Sequence, residues 1–344
     1  MEGAVRSDQL QRVHYIDVAK GIGILLVIFG HSLPFAKLTQ THVFYGIYAF
    51  HMPFWFFISG YLFSNKKQPQ VYFKNKILTL LLPYFIYCAF NVLLQCGFSA
   101  IGKPKVYSLL HFGGLWFIIT LFYIVIAFFS IDFLINKYIK RQYIKDSVTL
   151  MIAILFCILG LVYSKIIDHA SNNPIATALV GYFFFTIGYF FKRVFQIKLD
   201  VFSQKWPKIS RVLLFAAGVC CLVVLWFTAM KNTVSIDMNT SRYGINWIFV
   251  ANALLGTLGT FFIAYAVMAN KVLEFYGKNS LILLVMHTFV FKAIGILLER
   301  MGVLEWYNAL ATFVIMMVFS TIAVIIINRF LPVLAGKITM EKNK

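Results

Sequence analysis

The sequence predicts an all-α protein that crosses a membrane about ten times, and two observations lead to this prediction. Of the 344 residues, 61% are hydrophobic and only 12% are charged, whereas a soluble domain carries roughly 25% charged residues. The apolar residues also fall into runs of about 20, the length that a helix needs to cross the hydrocarbon core. Because no connection between these runs can hold a soluble domain, we expect residues 1–344 to form one membrane-embedded domain.

Ten apolar runs are predicted to be membrane spans. The first run follows a polar segment and lacks a small-residue cleavage site after it, so we expect a retained helix rather than a removed signal peptide. The runs cover residues 16–35, 43–63, 77–98, 115–135, 148–164, 175–191, 212–230, 245–268, 280–298 and 306–331.

The distribution of Lys and Arg predicts the orientation, since cytoplasmic loops carry an excess of both. Of the 31 Lys and Arg residues, 22 lie on the side of the N-terminus, 8 lie on the other side, and Lys20 lies within the first span. We therefore expect both termini in the cytoplasm, with a segment 1–15 and a basic tail 332–344, and a location in the inner membrane. These basic residues are spread over many short loops and form no dense stripe, which argues against a nucleic-acid partner.

The five cysteines indicate buried thiols rather than a metal site. They lie in or near apolar runs, and no C-x-x-C pair is present. Free Cys is usually found in such apolar surroundings. No metal is therefore expected.

The first span carries ionisable side chains at both ends. Asp17 and Lys20 are three residues apart, so they share a helix face and can pair. The pair is either an interfacial ion pair with Lys20 reaching to the headgroups, or a polar anchor for a donor that enters from the cytosol. His31 lies roughly 21 Å from Asp17 along a straight helix, so we expect the two to serve different parts of one long site.

A second imidazole, His51, lies in the outer half of the second span, and Pro53 follows it closely. A single His in a span often makes only a hydrogen bond between helices. Because His31 and His51 lie in the outer halves of consecutive helices joined by a short loop, their positions favour a shared polar site.

Further polar residues give weaker signals. Trp116 near an outer face also fits the aromatic belt that lines membrane interfaces, and His287 lies about two turns inside the ninth span. The outer loop 231–246 carries Asp237, Asn239 and Arg242. This loop is either a polar lip for a sugar or an ordinary solvated loop.

Together these stretches resemble the acyltransferase-3 family of integral membrane acyltransferases, with a nearer likeness to its fucose 4-O-acetylase-like branch. The family's first pattern, R/H-x-x-D-x-x-(R/K)-G-hydrophobic-G-H, is matched by Asp17, Lys20, Gly21, Gly30 and His31. Its L-W-F-L-x-x-L-F element corresponds to residues 115–122, and its late S-x-x-(I/L)-x-x-x-H element to Ser280 and His287. The second-helix pattern, F-H-M-P-(L/F)-F-F-F-I-S-G-Y, is matched by Phe50, His51, Met52, Pro53, Phe56, Phe57, Ser59, Gly60 and Tyr61.

One departure concerns a basic R-x-x-R that many relatives carry at the start of the third helix. Here Lys74 and Lys76 are present, and Thr79 occupies the place of the second Arg. If that pair binds an anionic donor in relatives, this chain must bind the donor differently.

The resemblance implies transfer of an acyl group, usually acetyl, from a cytosolic acyl-CoA such as acetyl-CoA to a hydroxyl of a sugar or cell-surface glycan. His31 is expected to be the general base, because neutral imidazole is suited to accept a hydroxyl proton, with His51 orienting it and Asp17 belonging to the same site. Cations on the inner side suit the phosphates of the donor. The expected donor residues are Lys20, Lys74, Lys76 and His287, and the expected acceptor residues are Ser59, Trp116, Asp237, Asn239 and Arg242.

Two other classes of function compete with the enzyme. A transporter or flippase of a lipid-linked or acylated glycan fits the composition equally well, since ten helices with intramembrane polar residues are common there. Only the motifs around residues 17–31 and 51–61 favour the enzyme over the transporter. A scaffold that binds envelope enzymes has no positive support in the sequence.

Overall fold

The computed structural model describes residues 14–65, 68–89, 115–166, 173–302, 305–331 and 334, and over these residues the fold is all-α. The extended structure within the described residues is an isolated antiparallel bridge between Asp237 and Arg242. The predicted tail 332–344 lies, apart from residue 334, outside the described part of the chain, as does nearly all of segment 1–15.

The helices are numbered in chain order. Two π-helical segments, Ile77–Leu81 and Phe191–Gln196, interrupt longer helical stretches, and residues 82–89 are again α-helical. The helices are α1 (His14–Phe35), α2 (His42–Tyr61), α3 (Pro69–Lys76), α4 (Trp116–Tyr138), α5 (Gln142–Tyr163), α6 (Pro174–Phe190), α7 (Ile197–Lys205), α8 (Pro207–Ala229), α9 (Asn246–Val267), α10 (Lys271–Lys278), α11 (Ser280–Arg300) and α12 (Glu305–Phe330).

Among the described residues, seven helical stretches are long and apolar enough to cross a membrane. One of them runs from Pro174 to Lys205 and contains the predicted span 175–191, because α6 continues through the π-helical segment into α7. The other six are His14–Pro34, Trp116–Tyr138, Gln142–Tyr163, Pro207–Ala229, Asn246–Val267 and Glu305–Phe330.

Three of the ten predicted spans are not among these seven. The predicted span 43–63 corresponds to α2, which is helical and buried along most of its length, but its many aromatic and polar residues lower its hydropathy. The predicted span 77–98 is described only as far as residue 89, and several side chains of α11 lie outside the described part of the chain. The structure thus shows a helical bundle with at least seven candidate spans.

Helices α1 and α2 occupy the centre of the bundle and run antiparallel, joined by a short turn. We call the end at which α1 begins the near end, and the end at which α1 finishes the far end. Thr41 caps α2 at the far end, its hydroxyl oxygen accepting a hydrogen bond from the Phe44 amide at 3.3 Å. At the near end, the hydroxyls of Tyr15 and Tyr61 are 2.7 Å apart.

Glycines allow α2 and α6 to pack backbone against backbone. A Cβ atom at Gly60 would overlap the Phe185 carbonyl, and one at Gly188 would overlap the Phe57 carbonyl. Small residues at such contacts are the usual means by which membrane helices approach closely. The contact holds α2 firmly in place along its near half.

Candidate functional site

Three histidines from three helices come together in the far half of the bundle. The ring centroids of His31 on α1 and His287 on α11 are 5.2 Å apart, and those of His31 and His51 on α2 are 6.5 Å apart. The ring of Tyr48 lies 6.1 Å from that of His31 and 4.9 Å from that of His51. We call His31, His51 and His287 the histidine cluster.

Backbone hydrogen bonds determine the tautomers of two members of the histidine cluster. Nδ1 of His51 lies 2.9 Å from the Ile47 carbonyl oxygen, and Nδ1 of His287 lies 3.0 Å from that of Leu283. A carbonyl oxygen only accepts, so each Nδ1 carries the hydrogen and donates it. In the neutral ring, Nε2 of both residues then holds a lone pair that can accept a proton.

Exposure separates His31 from the other two. His51 and His287 are buried, whereas His31 is half-buried. Of the three residues, His31 is therefore the one that keeps some exposed surface, with two buried imidazoles beside it.

The structure brings His287 next to His31, whereas the sequence predicted a place for it on the donor side. The reason is the way that α10 packs on α1. A Cβ at Gly277 would overlap the Asp17 carbonyl, and one at Gly21 would overlap the Leu273 carbonyl. Helix α10 thus lies directly on the start of α1, so α11 begins further along the bundle and two turns bring its imidazole level with His31.

The loop between α8 and α9 lies at the far end, close to the histidine cluster. Asp237 interacts electrostatically with His31 and Tyr48. Its two carboxylate oxygens also hold the loop's turn, accepting from the Asn239 amide at 3.0 Å and from the Thr240 hydroxyl at 2.9 Å. The predicted polar loop is therefore near the predicted base.

Two other loop residues differ in their surroundings. The side-chain oxygen of Asn239 is buried, with no hydrogen-bond partner among the residues that the structure describes. Arg242 is exposed, and its backbone pairs with that of Asp237. An unsatisfied buried amide oxygen costs free energy, so Asn239 is well placed to accept a hydrogen bond from a bound hydroxyl.

Trp55 is a candidate that the sequence did not single out. It lies one turn after His51 on the same face of α2, about 6 Å further along the axis, and against Gly23 of α1. Its indole N–H is buried, and within the described residues it has no hydrogen-bond partner. The family pattern has Phe at this position, and this mismatch was the signal that could have drawn attention to it.

Ser59 lies about 12 Å from His51 along α2, toward the near end, and Trp116 lies on α4. The Ser59 hydroxyl donates to the Trp55 carbonyl at 2.8 Å and lies two turns beyond His51. Trp116 begins α4 and packs beside Phe117, with ring centroids 6.2 Å apart. Their roles in substrate binding stay predictions from the sequence.

Asp17 and Lys20 form the predicted pair at the near end, with Lys20 Nζ 4.0 Å from Asp17 Oδ1. Asp17 is buried where α10 packs on α1. Close by, Glu274 of α10 accepts from Lys278 at 2.9 Å and pairs with His14 at 3.0 Å. The hydrogen bond from the Lys278 ammonium, helped by His14, holds the pKa of Glu274 below its usual value. The near end of α1 is thus a cluster of paired charges.

Lys74 and Lys76 lie on α3, away from the contact of α1 with α10. Helix α3 packs against α4, where Tyr72 stacks on Phe129 with ring centroids 4.0 Å apart. Lys76 Nζ lies 5.5 Å from the centre of the Tyr72 ring, and Lys74 is exposed. The structure therefore places these lysines and Lys20 on different helices of the near end.

A buried polar network at the near end also escaped the sequence analysis. Tyr61 donates to Gln196 at 2.8 Å, and Gln196 and Tyr265 donate to Asp200 at 2.7 Å and 2.9 Å. Because Tyr61 uses its proton there, Tyr15 must donate to Tyr61. The network joins α1, α2, α7 and α9, which no local motif could have indicated.

Among the described residues, no set of three His, Cys, Asp or Glu side chains is arranged to hold a metal ion. The imidazoles of the histidine cluster can transfer protons, and buried groups beside them can form hydrogen bonds with a substrate.

Comparison with known proteins shows which family this chain resembles. A family model described as an acyltransferase domain, Acyl_transf_3, matches residues 13–329. The nodulation protein NolL of Mesorhizobium japonicum is 40% identical over an alignment of 81 residues, and the match covers 21% of this chain and 22% of that protein. The match thus spans about a fifth of this curated relative. No solved structure matches the chain.

Proposed function

The chain belongs to the Acyl_transf_3 family of acyltransferase domains, and from this we propose that it is a membrane O-acyltransferase. It moves an acetyl group from cytosolic acetyl-CoA to a hydroxyl of a sugar or cell-surface glycan. The observation that carries the proposal is the histidine cluster, in which a half-buried His31 lies beside two imidazoles whose Nδ1 atoms donate to backbone carbonyls.

His31 is the general base of the proposed reaction. Its imidazole takes the proton of the acceptor hydroxyl as the oxygen attacks the carbonyl carbon of the thioester, forming a tetrahedral intermediate. The carbon–sulfur bond then breaks, and the leaving sulfur receives the proton from His31, so that an ester and free CoA result. The lone pairs of His51 and His287 stabilise the imidazolium that forms between these steps.

The acceptor is held at the far end and the donor enters from the near end. Asp237, Asn239 and Arg242 form the acceptor's polar surroundings, since Asp237 in their loop interacts electrostatically with His31. Lys20 holds the donor together with Lys74 and Lys76, and Asp17 positions Lys20. Ser59, toward the near end of α2, and Trp116, at the start of α4, contact the acceptor if it is long.

The test of the function compares the O-acyl content of surface glycans from cells with and without the gene, after release by mild alkali. We expect ester-linked acyl groups that disappear with the gene. If ester content is unchanged while an unmodified glycan accumulates inside the cell, the transporter or flippase replaces the enzyme as the function.

The orientation gives a prediction of its own. We propose ten spans with both termini in the cytoplasm, supported by the split of 22 to 8 in Lys and Arg between the two sides. Reporter domains fused after Lys344 and inserted in the loop 231–246 are expected on opposite sides of the inner membrane. Finding both reporters on the same side would contradict this topology and, with it, the proposed separation of donor and acceptor.

Donor binding gives the next prediction. Lys20→Gln is expected to weaken acetyl-CoA binding about 10-fold or more, because a charge-assisted hydrogen bond contributes about 1.5–3 kcal/mol. The double variant Lys74→Gln and Lys76→Gln is expected to weaken it as well. Affinity measured by calorimetry on purified protein decides this, with Lys231→Gln at the far end as the control. If both variants bind acetyl-CoA as tightly as the unmodified protein, these lysines do not bind the donor and serve only to set the orientation of the chain in the membrane.

Trp55 gives a prediction that separates function from packing. Its indole N–H has no partner among the described residues, so we propose that it donates to an oxygen of the bound substrate. Trp55→Phe removes this donor and is expected to lower kcat/KM about tenfold, the value of one neutral hydrogen bond. The melting temperature is expected to stay level or rise, because a buried unsatisfied donor is lost. A fall in melting temperature with unchanged kcat/KM would show a packing role instead.

A further inference from the structure

A groove of about 340 Å³ runs along the far half of α1 and α2, outside the histidine cluster. Its walls are formed by apolar side chains of α1, α2, α8 and α9, among them Leu26, Phe29, Ile47 and Leu222. Five of the residues that line it belong to α2, and three belong to α1. The groove thus lies along the same two helices that carry His31 and His51.

The groove and the histidine cluster share a wall. Ile47 lines the groove, and its carbonyl oxygen accepts the hydrogen bond from His51 Nδ1 at 2.9 Å. Phe29 also lines it, two residues before His31. A molecule in the groove is therefore separated from the imidazoles by the thickness of one helix.

The polarity of the groove changes along its length. At its far end His42 stacks on Trp226 with ring centroids 5.1 Å apart, and His42 Nδ1 donates to the Trp226 carbonyl at 3.3 Å. His42 is exposed there, whereas the walls below it are apolar. This gradient complements an amphiphile whose hydrocarbon chain lies between the helices and whose polar head lies at the membrane surface.

We propose that the groove binds the hydrocarbon chain of a lipid-anchored acceptor, whose polar head carries the hydroxyl that is acylated. The inference rests on the proposed acyl transfer, and it specifies the acceptor as a membrane lipid rather than a soluble sugar. His42 and His51 are about 13 Å apart along α2. The groove extends along α2 from His42 to Phe50, next to His51, so the reacting hydroxyl lies within about 13 Å of the point where the chain leaves the groove. A single sugar spans the remaining distance when its chain leaves the groove below His42.

Any apolar groove in a bilayer takes up ordinary lipid, so the test needs a second groove for comparison. One of about 390 Å³ lies between α4, α5 and α6, lined by Tyr123, Phe156 and Ala178 among others. None of its lining residues belongs to α1 or α2. This second groove reports the general affinity of the bundle for hydrocarbon.

Gly46 offers a substitution that fills the first groove without disturbing the helices. It lines the groove, and a Cβ built on it meets no described atom within 4 Å. Gly46→Leu therefore places its side chain in the space that the lipid chain would occupy. Ala178→Leu is the matched variant in the second groove.

The experiment uses the full chain in nanodiscs and a dodecyl glucoside with a diazirine on its alkyl chain. After photolysis, labelled peptides are identified by mass spectrometry, and a phosphatidylcholine with a diazirine on one chain serves as the second probe. We expect the glucoside to label residues 43–50 and 222–226 in preference to the second groove. Gly46→Leu is expected to lower this labelling about tenfold, since each lost methylene contact weakens binding, and Ala178→Leu to leave it unchanged.

The outcomes separate the two proposals. Equal labelling of both grooves by both probes, unaffected by Gly46→Leu, would show ordinary lipid and overturn the acceptor groove. In a transfer assay, we expect Gly46→Leu to raise KM for dodecyl glucoside and to leave transfer to methyl glucoside unchanged. Preferential labelling of the first groove without any acyl transfer would support the lipid-binding groove and contradict the proposed acyltransferase activity. Acyl transfer to both glucosides with no effect of Gly46→Leu would support the acyltransferase activity and contradict the acceptor groove.

Discussion

Replacing His31 by Ala is expected to reduce acyl transfer by about 10² to 10⁴-fold, the usual cost of losing a general base. His31 is the half-buried member of the histidine cluster, with the rings of His287 and His51 at 5.2 Å and 6.5 Å. Neither neighbour can take its place without moving, because each is tied through Nδ1 to its own helix backbone. Initial rates in membranes, normalised to the amount of inserted protein, measure the effect.

Companion variants test the role assigned to each imidazole. His31→Gln is expected to be as poor as His31→Ala, because an amide forms hydrogen bonds but does not accept a proton usefully. His51→Ala and His287→Ala are expected to cost less, since their lone pairs act on His31 rather than on the acceptor. Activity close to wild type in His31→Ala would contradict this mechanism and would favour the transporter as the function.

Gly277→Ala is expected to damage both stability and activity, because α10 lies directly on the start of α1. The added Cβ would overlap the Asp17 carbonyl and come within 3.0 Å of the Gly21 amide nitrogen. Overpacking of this kind typically costs about 1–3 kcal/mol. If α10 moves away, α11 moves with it and His287 leaves His31, so we expect a lower melting temperature in detergent together with slower acyl transfer.

Gly46→Ala is the control for this substitution. It also introduces a methyl group inside a helix, but into space with no described atom within 4 Å. Relief of glycine's backbone entropy then raises stability by about 0.4–1 kcal/mol. Equal melting temperatures for Gly277→Ala and the unmodified protein would contradict the packing of α10 on α1.

Much of the bundle could be predicted because hydrophobic length is a local property of the sequence. Runs of about 20 apolar residues located α1, α4, α5, α8, α9 and α12 correctly as candidate spans. The pairing of Asp17 with Lys20 followed from their spacing on one helix. His31 and His51 came together as expected, since a short turn joins their helices. The family was also recognised correctly from these two helices.

The remaining features depend on contacts between distant parts of the chain. The depth of His287 is set by the glycine contact of α10 with α1, so counting residues from the start of α11 placed it wrongly. The network from Tyr15 to Asp200 involves residues 46 to 135 positions apart. Likewise the groove beside His51 is formed by four helices. None of these has a signature within one helix.

The central claim is that a donor on one side of the membrane acylates an acceptor whose hydroxyl is reached from the other. Its most direct measurement uses the purified chain in vesicles, with oriented insertion checked by proteolysis, acetyl-CoA labelled in the acetyl group added on the cytoplasmic side and dodecyl glucoside in the bilayer. We predict labelled, alkali-labile ester on the glucoside with the unmodified protein and almost none with His31→Ala. Equal ester formation by both proteins, or none by either, would contradict the account.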